Sequence, residues 1–323
     1  MYNIQSVVGP DWKQVQLIGQ GSFGSVYELE KIDSEKTEKA ALKVIEFSHN
    51  DIEYSSLSEK DDNENEWIKC ITEIYSLIQT MNSPYHIKVD DVYSGLSDDG
   101  QSGMVVIKME LLAGLNKTLE RELPDRTILK IARDLCMALI EYEDQGTFHG
   151  GVNPNNIFVS PQGDYKLGDP DIGKKLEGCG FEIQYGLNRY EAPEFYDGYP
   201  YKSISDIYSL GLVLYRLMNE LCMPFVPLPP QRIRPMDEEN ARRRRLNGES
   251  LPAPIHGSED LKQIVLKACA YEPKDRYQSV REMLEALQNV DLEKTVLENT
   301  VGSEVTEGNV QKKGKCRAIW KRR

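Results

Sequence analysis

The chain lacks the features that mark membrane, secreted or nucleic-acid-binding proteins. It has no run of about 18 apolar residues, the length that a membrane-spanning helix needs. Residues 1–10 carry neither a basic patch nor an apolar core, so we expect no secretory signal there. None of the six cysteines forms a CxxC pair, which disfavours zinc and disulfides and predicts a reducing, cytoplasmic location. The net charge of −13 disfavours nucleic-acid binding.

Charge is nevertheless spread unevenly along the sequence. Residues 50–66 are acidic and polar, Arg242–Arg245 is a run of arginines, and residues 312–323 are strongly basic. A solvated surface is the simplest interpretation of each stretch. Residues 291–323 show little periodicity and are predicted to form a flexible basic tail. This tail, with Trp320, could alternatively make a weak contact with an anionic membrane surface.

The hydrophobic pattern divides the chain into a strand-rich first third and a mostly helical remainder. Five strands are predicted, over Val15–Ile18, Ser25–Leu29, Ala40–Ile45, Val89–Tyr93 and Met104–Met109. One helix is predicted among them, from near Glu64 to Met81, because Trp67, Ile71, Ile74 and Ile78 recur at helical spacing. Helices dominate from Thr127 onward. An α+β fold with two unequal parts is therefore expected.

A glycine-rich segment joins the first two predicted strands. Gly19, Gly21 and Gly24 follow the spacing GxGxxG, a pattern that also opens dinucleotide-binding helices. The residues after the third glycine, Val26–Leu29, alternate like a strand and do not continue as a helix. A hairpin folded over phosphate groups is therefore favoured, because glycine lets backbone amides approach an anion closely.

Further motifs follow in a fixed order. They are Ala40-Ala41-Leu42-Lys43, Glu73, His149-Gly150-Gly151-Val152 with Asn156, Asp169-Pro170-Asp171, Ala192-Pro193-Glu194, Asp206 and Arg276. Together they resemble the eukaryotic-type protein kinase family, from about Trp12 to Leu287, with a texture closest to bacterial Ser/Thr kinases. The resemblance implies a bilobal protein kinase fold. Its small β-rich lobe with one helix would span residues 12–112, and its larger, mostly helical lobe residues 113–290.

The resemblance also implies a nucleotide site with ATP and Mg²⁺ as cofactors. Lys43 would hold the phosphates and pair with Glu73, while Asn156 and Asp169 would ligate the metal. The other implied ATP contacts are Gly19, Gly21, Ser22 and Gly24 over the phosphates, Glu110 and Leu112 in the hinge, and Val26, Ala41 and Phe158 around the adenine. Glu194 with Arg276, and Asp206 with the catalytic-loop backbone, would hold the fold.

The catalytic loop departs from the family pattern at three positions, those of the arginine, the aspartate base and the lysine. Gly151 stands where the family has its aspartate base, Gly150 where it has arginine, and Asn153 where it has lysine. Leu187 occupies the position of a threonine that normally binds this aspartate and lysine. Pro170 and Asp171 also alter the metal motif, and the combination is similar to the pseudokinase domains of the Janus kinases. No catalytic residue is therefore assigned, and a degenerate member, a pseudokinase, is expected.

Three functions remain open at this stage. The first is a pseudokinase that binds ATP and Mg²⁺ and regulates a protein partner, with an active kinase as the candidate. The second is an active Ser/Thr protein kinase with a non-standard base such as Asp171. The third is a scaffold that binds no nucleotide. The glycine loop, Lys43, Glu73, Asn156 and Asp169 favour the first function, because a scaffold would not need them.

Overall fold

The computed structural model describes residues 8–21, 24–33, 36–46, 57–81, 83–96, 103–117, 119, 122–178 and 189–291. The roles predicted for Ser22 and Leu187 fall outside these ranges. So does the predicted tail after residue 291, and its membrane contact stays a prediction.

The first lobe is a five-stranded antiparallel sheet with one helix packed on it. Its elements are β1 (Trp12–Gly21), β2 (Gly24–Asp33), β3 (Lys36–Glu46), α1 (Leu57–Thr80), β4 (Val89–Leu96) and β5 (Gly103–Glu110). The strand order is β1-β2-β3-β5-β4. Each pair of neighbours is antiparallel, so consecutive strands need only short connections, except that α1 lies between β3 and β4.

Strand β3 separates two hydrophobic layers. Leu42 and Val44 pack with Trp12 on one face, whereas Ile45 packs with α1 on the other. Because side chains alternate along a strand, Lys43 lies on the same face as Ile45. This alternation directs the one lysine of the predicted strand toward the helix and the second lobe.

Helix α1 begins at Leu57, earlier than the predicted start near Glu64. Its first turns consist largely of charged and polar residues, which form helix readily but leave no apolar stripe for periodicity to detect. The predicted apolar face is confirmed, because Trp67, Ile71 and Ile78 are buried. Glu73 lies on the opposite, exposed side of the helix.

The second lobe is mostly helical. It contains the strands β6 (Ala113–Gly114), β7 (Ile157–Val159) and β8 (Tyr165–Leu167) and the helices α2 (Asp125–Asp144), α3 (Ile172–Gly178), α4 (Pro193–Tyr196), α5 (Ser203–Leu217), α6 (Pro235–Leu246), α7 (Glu259–Ala268) and α8 (Val280–Gln288). Its core is built on the apolar faces of α2 and α5. In the part of the chain that the structure describes, no helix combines the length and the apolar character needed to cross a bilayer.

The predicted fold class is therefore confirmed: a β-rich lobe with one packed helix precedes a larger helical lobe. The predicted lobe boundary, between residues 112 and 113, falls in the short connection between β5 and β6. That connection carries the residues expected to form the hinge.

Candidate nucleotide site and catalytic loop

One face of the first sheet carries three of the predicted nucleotide contacts. Val26 on β2 pairs directly with Lys43 on β3, and Ala41 lies two residues before Lys43. The period of two along a strand places all three side chains on one face. Phe158 lies on β7 in the second lobe, opposite Gly114 of β6. The predicted adenine contacts are thus distributed over both lobes.

The three loop glycines differ in what the fold requires of them. Gly24 has φ +148°, and a Cβ there would lie 2.1 Å from the carbonyl oxygen of Val44, so strand packing alone demands glycine. A Cβ on Gly21 would meet nothing within 4 Å, and one on Gly19 would meet only Val26, at 3.8 Å. The protein's own packing leaves room at Gly19 and Gly21, which suits a loop that covers a ligand.

The hinge is held by its acidic side chain. Glu110 accepts hydrogen bonds from Lys166 Nζ at 2.5 Å and from the backbone N–H of Lys88 at 2.7 Å. Among the described residues, none hydrogen-bonds to the backbone of Leu112. The N–H and C=O of Leu112 are therefore available to a ligand edge, and the carboxylate of Glu110 serves to fix the connection.

The cleft lysine pairs with Asp169 and not with Glu73. Lys43 Nζ contacts Asp169 Oδ1, and the same oxygen accepts a hydrogen bond from the Tyr75 hydroxyl at 3.0 Å. Tyr75 is buried on the inner face of α1, and Lys43 lies 5.6 Å from the centre of its ring. The expected Lys43–Glu73 ion pair is therefore corrected, because the turn of the helix points Glu73 to solvent.

Sequence reasoning missed Tyr75, although the signal for it was available. Ile71 and Ile78 define the buried stripe of α1, and Tyr75 falls between them at helical spacing. Glu73 is two residues from Ile71, which is about 200° around a helix of 3.6 residues per turn. The apolar periodicity therefore places Glu73 away from the stripe that Ile71 and Tyr75 share.

Asp169 adopts a backbone conformation that few non-glycine residues use. Its φ is +55°, in the left-handed region. Such strain persists only where the surroundings fix it, and it is concentrated at functional sites. Here the backbone carbonyl of Asp169 accepts a hydrogen bond from Asn156 Nδ2 at 3.1 Å, while the Asp169 side chain remains 40% exposed. The two predicted metal ligands are thus brought together by the fold.

A buried aspartate anchors the catalytic loop, as expected. Asp206 accepts hydrogen bonds from the backbone N–H groups of His149, at 2.7 Å, and of Gly150, at 2.8 Å, and also from the Tyr201 hydroxyl. Burial raises the pKa of Asp206 to about 6, although these hydrogen bonds act in the opposite direction. Asp206, which the sequence motif identified, therefore fixes the backbone of the catalytic loop.

His149 offers no replacement for the missing base. Burial holds the pKa of His149 well below its ordinary value, so the ring is neutral. Its Nδ1 accepts a hydrogen bond from the Gly151 N–H at 3.1 Å, which leaves Nε2 as the donor to the Gly168 carbonyl, 3.2 Å away. Both ring nitrogens are thus engaged with the backbone.

Two asparagine side chains near Gly151 hydrogen-bond to its backbone carbonyl. Gly151 O accepts hydrogen bonds from Asn153 Nδ2 at 3.0 Å and from Asn156 Nδ2 at 2.8 Å. Asn153 Oδ1 in turn accepts from the Asn155 N–H and caps the short turn that begins at Pro154. Asn153, which stands at the lysine position of the family, therefore has a structural role in this loop.

Each oxygen of the Asp171 carboxylate accepts a hydrogen bond from Lys174. Its Oδ2 lies 2.9 Å from Lys174 Nζ, and its Oδ1 accepts the Lys174 backbone N–H at 3.2 Å, at the start of α3. The Asp171 N–H also donates to the His149 carbonyl at 3.1 Å. The fold uses this residue as a helix cap and a counterion.

Two arginines tie the end of residues 170–193, the activation segment that the family resemblance implies, to the second lobe. Arg276 forms the expected buried pair with Glu194, with distances of 2.8 and 2.7 Å. Arg245 donates to the carbonyls of Glu191 and Arg189, at 2.8 and 3.0 Å. Arg245 is only 4% exposed, so the interpretation of the arginine run as solvated surface is wrong at this position. The run has one inward face because it lies on α6.

The two lobes, the cleft lysine and the anchored catalytic loop define a protein kinase-like domain, and comparison identifies the family. The family model of the protein kinase domain matches residues 12–288, so this chain belongs to the protein kinase family. It is 27% identical over 310 residues to the serine/threonine-protein kinase pkn3 of Myxococcus xanthus, which covers 86% of this chain and 49% of that protein. It is 28% identical over 214 residues to the serine/threonine-protein kinase PknB of Mycolicibacterium smegmatis, covering 63% and 33%.

A eukaryotic relative is similarly distant. The chain is 26% identical over 211 residues to the MAP kinase kinase MKK1/SSP32 of Saccharomyces cerevisiae, covering 63% of this chain and 38% of that protein. The chain thus spans half or less of the length of these three relatives. Bacterial and eukaryotic Ser/Thr kinases are its relatives, as the motifs indicated.

The described residues fit the nucleotide and metal that the family uses. Asp169 presents an exposed carboxylate, and none of the described residues donates to the Oδ1 of Asn156. Carboxylate and amide oxygens suit Mg²⁺, which is commonly held by one or two protein groups together with substrate phosphates. Lys43, paired with Asp169 and largely buried, supplies a cation for the phosphates.

Proposed function

We propose that this domain binds ATP with Mg²⁺, lacks efficient phosphoryl transfer and regulates a protein partner. One contrast between two acidic residues carries the proposal. Asp169 lies in the cleft beside Lys43 with its side chain 40% exposed, whereas Asp171, next to the vacant base position at Gly151, is 19% exposed and pairs with Lys174. The groups that bind nucleotide are retained, and the group that accepts the substrate proton is not.

The roles of the retained residues follow from their chemistry. Lys43 would bind phosphate oxygens, Asp169 and Asn156 would hold the metal, and the backbone of Leu112 would meet the adenine edge. Mg²⁺, when bound, would neutralise phosphate charge. The hydrogen bonds of Asn156 to Gly151 O and Asp169 O fix both ligands to one rigid turn. This positioning supports binding whether or not transfer follows.

The expected rate of transfer can be bounded. A positioned general base contributes about 10²–10⁴-fold, and typical kinases turn over at about 1–100 s⁻¹. Losing the base alone would leave on the order of 10⁻⁴ to 1 s⁻¹. The absence of a lysine at Asn153 lowers the rate further, because no cation there offsets the charge of the transferring phosphate.

The alternative of an active Ser/Thr kinase depends on Asp171 as the base. A base must lie within reach of the substrate hydroxyl and accept its proton. Both oxygens of Asp171 instead face Lys174, through its ammonium and its backbone N–H. The alternative of a scaffold without nucleotide requires Lys43 and Asp169 to remain closed on each other when ATP is offered. Each alternative therefore has its own test.

A thermal-shift titration with ATP, with and without Mg²⁺, tests the binding proposal. Ligand at about 100 times its dissociation constant stabilises a protein by roughly 2.7 kcal/mol. The stabilisation should be lost in Lys43→Ala and Asp169→Ala and kept in Lys267→Ala, which removes an exposed lysine of α7. No shift in the unmodified chain would leave the scaffold function.

A transfer assay separates the pseudokinase from the active enzyme. In a single-turnover assay, the rate of phosphate transfer from radiolabelled ATP to a generic Ser/Thr substrate should stay below about 1 s⁻¹. Turnover that disappears in Asp171→Asn would establish the non-standard base.

We further propose a cytoplasmic location and a protein partner, with an active kinase as the candidate. Cross-linking in cell extract with and without ATP and Mg²⁺ should change the set of captured kinases if nucleotide controls docking.

A further inference from the structure

Lys174 is a buried lysine that none of the predicted sites includes. Its side chain is 1% exposed, and its Nζ lies 2.9 Å from Asp171 Oδ2, 2.6 Å from Glu191 Oε1 and 2.5 Å from the Gly150 carbonyl oxygen. An ammonium group has three donors, so these three acceptors satisfy it completely. The ring of Tyr201 lies 4.6 Å from the same nitrogen.

This cluster joins three segments that are separate in the sequence. Gly150 belongs to the catalytic loop, Asp171 is the last residue of the metal motif, and Glu191 directly precedes Ala192-Pro193-Glu194. Burial alone would lower the pKa of Lys174, but the two carboxylates raise it, so the group stays charged. A buried ion cluster of this kind contributes less to net stability than to fixing one arrangement, because desolvation offsets much of the attraction.

The stem of Lys174 occupies the space beside Gly150. A Cβ on Gly150 would lie 3.2 Å from Lys174 Cδ and 3.2 Å from Asp171 Cβ, and the φ of Gly150 is +82°. The family has an arginine at this position of the loop. A side chain there would therefore compete with Lys174 for the same volume and would also be strained. Gly150 and Lys174 are complementary in shape as well as in hydrogen bonding.

We propose that Lys174 is a positioning residue that docks the end of the activation segment on the catalytic loop from within the chain, without a phosphate group. The carboxylate of Glu191 supplies the negative charge that a phosphate group would otherwise supply, and Lys174 supplies the positive charge that binds it. Residues 170–193 contain neither serine nor threonine, which agrees with a segment that needs no Ser/Thr phosphorylation. The extension to nucleotide binding rests on the proposed function, because Gly150 adjoins Gly151, whose carbonyl holds Asn156.

Hydrogen exchange on the full chain without nucleotide tests the docking. Glu191→Gln keeps Lys174 paired with Asp171 and removes one charge-assisted contact. Amides of residues 189–196 should then exchange about tenfold faster, because a neutral amide oxygen accepts from Lys174 more weakly than the carboxylate does. Lys174→Met should accelerate exchange at residues 149–151 as well. Lys267→Met, which removes an exposed ion pair with Glu282, should leave both regions unchanged.

Glu191→Gln keeps the test decisive if Lys174→Met fails to fold. Exchange at residues 189–196 that remains at the wild-type rate in Glu191→Gln overturns the proposal. A second arm treats the purified wild type with a broad-specificity phosphatase, which should change neither the exchange at these residues nor the shift caused by ATP and Mg²⁺. Faster exchange after dephosphorylation overturns the proposal too.

The two proposals can fail separately. The exchange measurements contain no nucleotide, so a chain that binds no ATP would refute the proposed function and still report on Lys174. Conversely, normal ATP binding with unchanged exchange in Glu191→Gln would refute only the docking. We expect Glu191→Gln also to weaken the Mg²⁺ dependence of ATP binding. A general loss of stability would not change this dependence selectively.

Discussion

Tyr75 donates a hydrogen bond from its hydroxyl to Asp169 Oδ1, the same oxygen that Lys43 contacts. The tyrosine is buried on α1, and burial, followed by the nearby Asp169 charge, raises its pKa well above the ordinary value. It is therefore a permanent neutral donor. In this protein a helix tyrosine and a cleft lysine together hold the proposed metal ligand, where the family resemblance implied a lysine–glutamate pair.

Replacing Tyr75 with phenylalanine should tighten the binding of Mg²⁺ in the presence of ATP. Asp169 would lose a donor that competes with the metal for one of its oxygens. The affinity for Mg²⁺ should rise by up to about tenfold. A hydrogen bond to a charged group contributes about 1.5–3 kcal/mol, and only part of this energy competes with metal binding. A thermal-shift titration with Mg²⁺ at fixed ATP measures the change.

Tyr142→Phe is the matched control for this experiment. Tyr142 is buried in the same cluster as Tyr75, and no hydrogen bond links it to Asp169. Its substitution should leave the Mg²⁺ dependence as it is. Equal effects of the two substitutions, or weaker metal binding in Tyr75→Phe, would show that the Tyr75 hydroxyl does not compete with the metal.

Substitution of Glu73 should have almost no effect. Glu73 is exposed on α1, whereas the cleft lysine is paired with Asp169. We expect Glu73→Ala to change the free energy of unfolding by no more than about 0.5 kcal/mol and to leave the ATP-induced thermal shift intact. Lys43→Ala, measured in parallel, should abolish that shift. If Glu73→Ala abolished it as well, Glu73 would have to move into the cleft when nucleotide binds.

Restoring an aspartate at position 151 should not restore transfer. A Cβ on Gly151 would lie 3.1 Å from Asn156 Nδ2 and 3.2 Å from both Asp169 O and Asp171 N, so the loop would have to shift. We expect Gly151→Asp to lose about 1–3 kcal/mol of stability. The change would also leave Asn153 without the charge of the family's lysine.

The control for this substitution is Gly95→Asp on β4, where a Cβ would meet nothing within 4 Å. Its stability should stay within about 0.5 kcal/mol of the wild type, as followed by urea denaturation. A turnover of about 1 s⁻¹ or more in Gly151→Asp would mean that the base alone was missing.

The wild type should lose stability relative to Asp206→Asn as the pH rises from about 4 to about 6. Burial raises the pKa of Asp206 to about 6 from an ordinary value of 3.8. The native state therefore favours the protonated acid, whose stabilising contribution is complete below the unfolded pKa and is lost as the pH passes through the folded pKa. The difference should reach about 3 kcal/mol, at 1.36 kcal/mol per pKa unit.

Chemical denaturation of both proteins at a series of pH values measures this difference. Asparagine cannot ionise, so the variant removes the titration while retaining the size of the side chain. Parallel stability curves for the two proteins would show that Asp206 keeps its ordinary affinity for protons. A wild type that gains stability relative to Asp206→Asn as the pH rises would reverse the sign of the argument.

The elements of this fold followed largely from local patterns. Alternation and helical spacing predicted the five strands and the buried stripe of α1, because burial of one face imposes its period on the sequence. The spacing of glycines, Lys43 and Asp169 likewise predicted the family. The start of α1 was missed because its first residues are polar and carry no apolar period.

The partners of the site residues were beyond this reasoning. A motif gives a residue type at a position and does not give its direction. Lys43 was expected to meet Glu73, and the helix rotation gave it Asp169 and Tyr75 instead. Arg245 was grouped with three neighbours as surface, and its position on the inward face of α6 buried it alone.

The sequence by itself determined the kinase family, the order of the elements and the glycine at the base position, since these depend on residue identity and spacing along the chain. Only the tertiary structure decided that Asp171 pairs with Lys174 and that Tyr75 donates to Asp169. It also decided that Lys174 joins Glu191 to the Gly150 carbonyl in one buried cluster. These contacts join residues far apart in sequence or depend on the rotation of a helix, and no local pattern encodes which distant group will share a buried charge.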